Sequence, residues 1–198
     1  MVIFSSLIAV AMIPASRAAE PAPEPQKLAF PSAWIGEWSG PSRVVRPGPD
    51  GQAAMSFTME LHIVDAAPDR WTWTIVYDGA AGRQERRYTL VAKDAASGQY
   101  QIDENNGIVL SATLIDGVLH SPFEVQGNTI IASYRPHRLG TADATIEVEM
   151  ITFRAEQGAL TGNKDGVPPV TTYTPSSVQR ATLRPITPER GADRKSTP

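Results

Sequence analysis

From Gln52 to Phe153 the chain repeats one unit: a short run of β-forming residues alternating apolar with polar, closed by a turn that carries Gly, Asn or Asp. Period-two alternation places one set of side chains on one face of a strand and the other set on the opposite face. In Ala54–Val64, for example, Phe57, Met59, Leu61 and Ile63 share a face while Thr58, Glu60 and His62 share the other. Arg70–Tyr77 repeats the pattern, with Trp71, Trp73, Ile75 and Tyr77 against Thr72, Thr74 and Val76. Further strands are predicted at Glu37–Val45, Gln84–Lys93, Gln99–Asp103, Ile108–Leu114, Val118–Val125, Thr129–Arg135, Thr145–Arg154 and Val178–Arg184.

The connections are as telling as the strands. A Pro-Gly-Pro-Asp-Gly turn covers Pro47–Gly51, and Gly98, Asn106-Gly107, Asp116-Gly117 and Gly127-Asn128 separate later strands. Asn-Gly and Asp-Gly predict type I′ hairpins, because that turn needs positive φ at both central positions. No helical pattern of comparable length intervenes, so each strand must pair with the next; parallel pairing would require a crossover of about a dozen residues or more. The expected fold is all-β, an antiparallel up-and-down meander of about 8–10 strands that closes into a barrel to remove its edges. A β-sandwich would need longer crossing connections than most of those present.

Outside the ladder the composition changes. Val2–Ile13 is a weakly polar to apolar run, too short for a transmembrane helix of about 20 residues, and it reads as the core of a signal peptide. Ser16 and Ala18 supply the small residues that cleavage requires. The expected organisation is a signal peptide over residues 1–18, a Pro-rich linker over 19–30, one barrel domain over 31–184 and a disordered tail over 185–198. Gln157–Ser176 is the one long irregular segment, in which Val167, Val170 and Tyr173 are candidates to pack onto the barrel. The expected destination is the periplasm or the exterior, with no transmembrane segment left after cleavage.

With no cysteine, the chain has no disulfide, no thiolate nucleophile and no Cys-based metal site. A secreted domain of this kind is held by its core alone, and its length suffices for one sizeable core. The formal net charge of −3 argues against nucleic acid as a partner, which needs a basic stripe to displace counterions. A monomer is expected.

At the first strand the chain resembles a known superfamily. Gly36-Glu37-Trp38 is similar to the Gly-x-Trp motif that opens the first strand of lipocalins and related calycin barrels, and Trp34-Ile-Gly36-Glu-Trp38 resembles the opening of nitrobindin-like proteins. The resemblance implies that Trp38 closes the barrel floor beneath an Arg of the last strand, Arg180 in preference to Arg184. Nitrobindin-like barrels hold haem through an axial His, but the C-terminal portion of this chain has no His. His62, His120 and His137 read instead as solvated or hydrogen-bonded structural residues, no pair of them has metal-ligand spacing, and no cofactor is expected.

Catalytic motifs are missing: there is no Gly-x-Ser-x-Gly, no His-Glu-x-x-His and no phosphate-cradling Gly loop. Glu147 and Glu149 satisfy the spacing of a carboxylate pair, but Ile146, Val148 and Met150 alternate with them, which assigns them to a solvated outer face. No catalytic residue is named. If the apolar faces point inward, Trp73 and Tyr77 wall a core or a cavity; Arg86 and Tyr88, and likewise Tyr134 and Arg135, are then either polar anchors for an anionic or hydroxylated ligand or part of a solvated strand end such as the Glu85–Arg87 charge cluster. Three readings follow: a barrel that binds a small apolar or amphipathic molecule in its interior or mouth, a filled barrel serving as a structural or protein-interaction module of the cell envelope, and an enzyme of unidentified chemistry.

Overall fold

The structure, a computed structural model, describes residues 30–49, 53–154, 158–162 and 166–186. Ten antiparallel strands form a closed barrel. They are β1 (Gly36–Val45), β2 (Ala53–Ala67), β3 (Arg70–Gly79), β4 (Gly82–Asp94), β5 (Gln99–Asp103), β6 (Val109–Ile115), β7 (Val118–Val125), β8 (Asn128–His137), β9 (Thr145–Arg154) and, after a two-stranded insertion, β12 (Pro175–Pro185). The insertion is a hairpin of β10 (Ala159–Thr161) with β11 (Val170–Thr172). Each barrel strand pairs with its sequence neighbour, and β12 closes the circle between β9 and β1. Among the described residues no helix is long and apolar enough to cross a membrane.

The period-two pattern determines which face is inside. Met59, Leu61, Ile63, Trp73, Ile75, Leu90, Tyr100, Leu119, Ile146, Val148 and Leu183 are buried in one cluster, while most alternate positions are more exposed, Val76 and Val118 being buried exceptions. Glu147 and Glu149 lie outside as expected: Glu147 Oε2 meets His137 Nε2 at 3.1 Å, and Glu149 Oε2 accepts from Arg180 Nε at 2.7 Å. His62 pairs with Glu60 at 3.1 Å, and His120 Nδ1 lies 2.9 Å from Ser133 Oγ.

One end of the barrel is plugged. A 3₁₀ turn over Ser32–Trp34 tucks the Trp34 ring under the strands at 1% exposure. Phe30 packs edge-on against Trp34 at 4.7 Å and against Tyr100 at 4.9 Å, so packing begins within the segment expected to be linker. Gly36, at φ +140, lets the chain leave the turn and enter β1, and Trp38 two residues later donates its indole N–H to the Trp34 carbonyl at 2.9 Å.

Four details differ from the sequence reading. Asp116-Gly117 forms the expected hairpin with φ of +48 and +76, but the next turn is Gln126-Gly127, at +48 and +70, since Asn128 already pairs with Val125. Asn106-Gly107 belongs to a longer loop in which Asn105 and Gly107, not Asn106 and Gly107, have positive φ, at +58 and +96, and Asn105 donates from Nδ2 to the Arg87 carbonyl at 2.8 Å. The long segment before the last strand contains the β10–β11 hairpin, and Val167, Val170 and Tyr173 are 56%, 49% and 56% exposed rather than packed. Arg180 does not cover Trp38. The residue opposite Trp38 is Pro185, and because Ala181 and Leu183 point inward, Arg180 and Arg184 both point out. The expected signal peptide and most of the linker lie outside the described residues, as does the tail after Ile186.

Candidate functional site: an apolar cavity at the open end

Above the plug the barrel is hollow. A cavity of about 920 Å³ opens at the end formed by the β3–β4, β5–β6 and β7–β8 connections. Its position follows from the residue sizes along each inward face. Toward the floor, Leu61, Ile63, Leu90, Ile146 and Leu183 meet Trp34 and Trp38 and fill the lumen. Toward the mouth the inward positions carry Gln84, Ala132, Ser121 and the Gly79–Gly82 turn, which leave the lumen open. A volume in this range with apolar walls and a few convergent polar groups is that of a small-molecule site.

Six aromatic rings line the wall. Trp73 forms the base, with Trp34 beneath it at 6.4 Å and Tyr134 edge-on beside it at 5.1 Å. Phe57 and Tyr77 meet edge-on at 5.5 Å nearer the mouth, and Tyr88 and Phe123 complete the belt. Trp73 is fully buried beside Tyr134, and a hydrogen bond between the two side chains opposes, without cancelling, the upward push of burial on the Tyr134 hydroxyl.

Arg86 is the inward-facing cation. It stands opposite Ile75 on β3, and its guanidinium carbon lies 5.4 Å from the centre of the Tyr77 ring. Desolvation in the cavity pulls its pKa down; the Tyr88 side chain, with Tyr77 and Glu104 nearby, pushes it up by more, so the group is held firmly cationic. Among the described residues no carboxylate lies within ion-pair distance of it. The neighbouring Arg83 and Arg87 face outward and are committed to Glu60 and Glu85. Alternation thus singles out one Arg of three for the interior.

The phenols respond to the same apolar surroundings. Burial pushes the Tyr77 hydroxyl up to about 12, against an opposing pull from Arg86. Tyr134, deeper still, is also raised, chiefly by burial. An acid whose folded pKa lies above its unfolded value stabilises the fold below pH 10 and loses that contribution as pH rises toward 12. Stability is therefore expected to fall across that window, and Tyr77→Phe to shift the loss to higher pH, in urea titrations at stepped alkaline pH. An unchanged profile would contradict the burial of Tyr77.

The wall is uneven. β6 and β7 share only the pairs Thr113↔His120, Leu114↔Leu119 and Ile115↔Val118. Beyond them the Ser121 hydroxyl bridges the strands by donating to the Ser111 carbonyl at 2.9 Å. Pro122, which lacks an N–H, fits this unladdered stretch. Around the mouth, Met55, Ile108, Val109 and Val125 expose apolar side chains.

Of the residues singled out from sequence, Trp73, Tyr77, Arg86, Tyr88 and Tyr134 line this one cavity. Arg135 does not: it follows an inward Tyr134 and therefore faces out, opposite Glu147. Ser121, Gln84, Glu104 and Gln179 also line the cavity and carried no individual signal in the sequence, since a polar residue at an inward position reads locally like a solvent-facing one. Among the lining residues there is no His.

No protein-family model and no curated protein matches the sequence. A solved structure does: a protein of unknown function from the DUF3598 family of Nostoc punctiforme is similar with a TM-score of 0.52 at 14% identity, over 78% of this chain and 48% of that one. The likeness concerns the barrel fold alone, and the chain spans less than half the length of that protein.

Proposed function

We propose that this barrel binds a small, partly apolar molecule bearing an anionic or hydroxylated end. The observation that carries the reading is the hollow upper lumen of about 920 Å³, walled by aromatic rings and containing a single inward-facing Arg free of any carboxylate partner among the described residues. Binding would draw its energy from apolar burial at about 25 cal/mol per Å², with Arg86 and Tyr88 orienting the polar end. The rim is largely apolar, with Met55, Ile108 and Val125 beside Glu104 and Glu124, so the apolar part of a ligand has a surface to enter along. A filled barrel acting only as a structural module accounts less well for an interior that is packed below Trp73 and empty above it.

On this reading the wild-type protein takes up 1-anilinonaphthalene-8-sulfonate with enhanced fluorescence, and dodecanoate displaces it. Arg86→Gln should weaken dodecanoate about tenfold or more, by loss of a charge-assisted hydrogen bond, and leave dodecanol unchanged. Absence of uptake of both compounds would overturn the proposal. Native mass spectrometry of protein from its own host would then identify the retained molecule.

The resemblance of Gly36-Glu37-Trp38 supports a place among the calycins, as a monomeric, exported member. Export rests on the apolar run ending at Ala18, and N-terminal sequencing of the mature protein is expected to begin at or near Ala19. An intact Met1 in the cytoplasm would refute it.

A further inference from the structure

We infer that the polar end of the ligand is zwitterionic, an anion and a cation a few atoms apart on an apolar body, rather than the lone acid of a fatty acid. The inference rests on the small-molecule reading above and specifies its ligand. Its basis is the balance of charge inside the cavity. Among the lining residues Arg86 is the one cation, and it shares the lumen with a carboxylate, Glu104. Glu104 directly follows β5, in step with the inward Ile102 two residues before it, and is half-buried at the rim. Glu124 also lines the rim, but it is exposed and comes one residue after the inward Phe123.

The two charges are neighbours without being partners. Asp103 pairs with Thr89, so one further step along that register brings Glu104 to the level of Tyr88, one inward position below Arg86. One strand spacing combined with two residues of rise sets their Cα atoms about 8 Å apart. Each feels the charge of the other, yet neither forms an ion pair among the described residues. The Glu104 carboxylate instead accepts a neutral hydrogen bond from Asn106 Nδ2 at 3.2 Å. A simple acid seated on Arg86 would lie beside that carboxylate, and an apolar lumen screens the repulsion poorly. A ligand that also carries a cation turns the same carboxylate into a second anchor and adds no net charge to the cavity. Tyr88, at the level of Glu104, supplies an aromatic surface that attracts cations, as the Tyr77 ring does for Arg86.

Three amphiphiles of matched chain separate the cases by isothermal titration calorimetry below their micelle concentrations: N-dodecyl-N,N-dimethylglycine, which is zwitterionic, dodecanoate and dodecyltrimethylammonium. With the wild-type chain the zwitterion is expected to bind about tenfold more tightly than dodecanoate, through relief of the repulsion at Glu104 and gain of its attraction. Dodecyltrimethylammonium, which Arg86 repels, is expected to be weaker than the zwitterion by a similar factor. Glu104→Gln keeps the shape of the side chain and its contact with Asn106 but removes the charge. It should weaken the zwitterion and tighten dodecanoate, so that the preference shrinks to less than about twofold. Should that variant fail to fold, the three affinities on the wild-type chain still decide. The inference is overturned if dodecanoate or dodecyltrimethylammonium binds the wild-type chain as tightly as the zwitterion, or if Glu104→Gln leaves the preference intact; each of these results leaves the small-molecule reading standing. Failure of all three to bind overturns both.

Discussion

Trp38→Ala is expected to destabilise the protein by about 3–5 kcal/mol, a large part of what a single domain has. Trp38 is 5% exposed and belongs to the cluster that closes the barrel floor, so truncation leaves a cavity where the lumen is otherwise filled. The same change strands the Trp34 carbonyl, which accepts the Trp38 N–H at 2.9 Å. Trp38→Phe keeps a six-membered ring and loses that bond together with part of the indole volume, at about 1–3 kcal/mol. Arg180→Ala serves as the contrast: its partner Glu149 is a surface one, and exposed pairs contribute about 0–1 kcal/mol. Urea midpoints by circular dichroism measure all three. A loss below about 1 kcal/mol for Trp38→Ala would mean that the plug does not bear on the barrel.

The seam between β1 and β12 gives the second large effect. A Cβ placed on Gly40 would overlap the Thr182 carbonyl oxygen and stand 2.9 Å from its carbon and 3.2 Å from the Leu183 Cα. These are main-chain atoms of a strand held by β1 on one side and β9 on the other, so they cannot swing aside as a side chain would. The ladder itself skips here, from Ser39↔Arg184 to Ser42↔Ala181, beside Pro41. Gly40→Ala is therefore expected to cost about 3 kcal/mol or more by forcing the seam apart. Gly48→Ala, with nothing within 4 Å of the added carbon, should stay within about 0.5 kcal/mol. Equal denaturation midpoints for the two variants would refute the close approach.

The strands were legible in the sequence because one face of each is buried and the other wet, and a side-chain period of two records that difference residue by residue. The same alternation puts Trp73 and Tyr77 on the apolar face, but it leaves open whether Arg86, Tyr88 and Tyr134 face the lumen or a solvated strand end, and the closed barrel turns them inward. Where the reading departed from the structure, parity was not followed through. Tyr134 inward requires Arg135 outward, and inward Ala181 and Leu183 require Arg180 outward. Both arginines were assigned roles that a strand's geometry denies them.

Local chemistry thus determined the class of fold, the strand order and most of the inward residues, since these depend on neighbours in sequence and on hairpins between adjacent strands. Three things depended on the closed barrel. The plug requires Phe30, packed on Trp34, to meet Tyr100, about seventy residues away in sequence. The hollow upper lumen depends on the summed size of side chains drawn from all ten strands, and no single strand reports that sum. The burial of Tyr134 against Trp73 is likewise invisible in sequence, because it is settled by what meets β3 from the far side of the lumen.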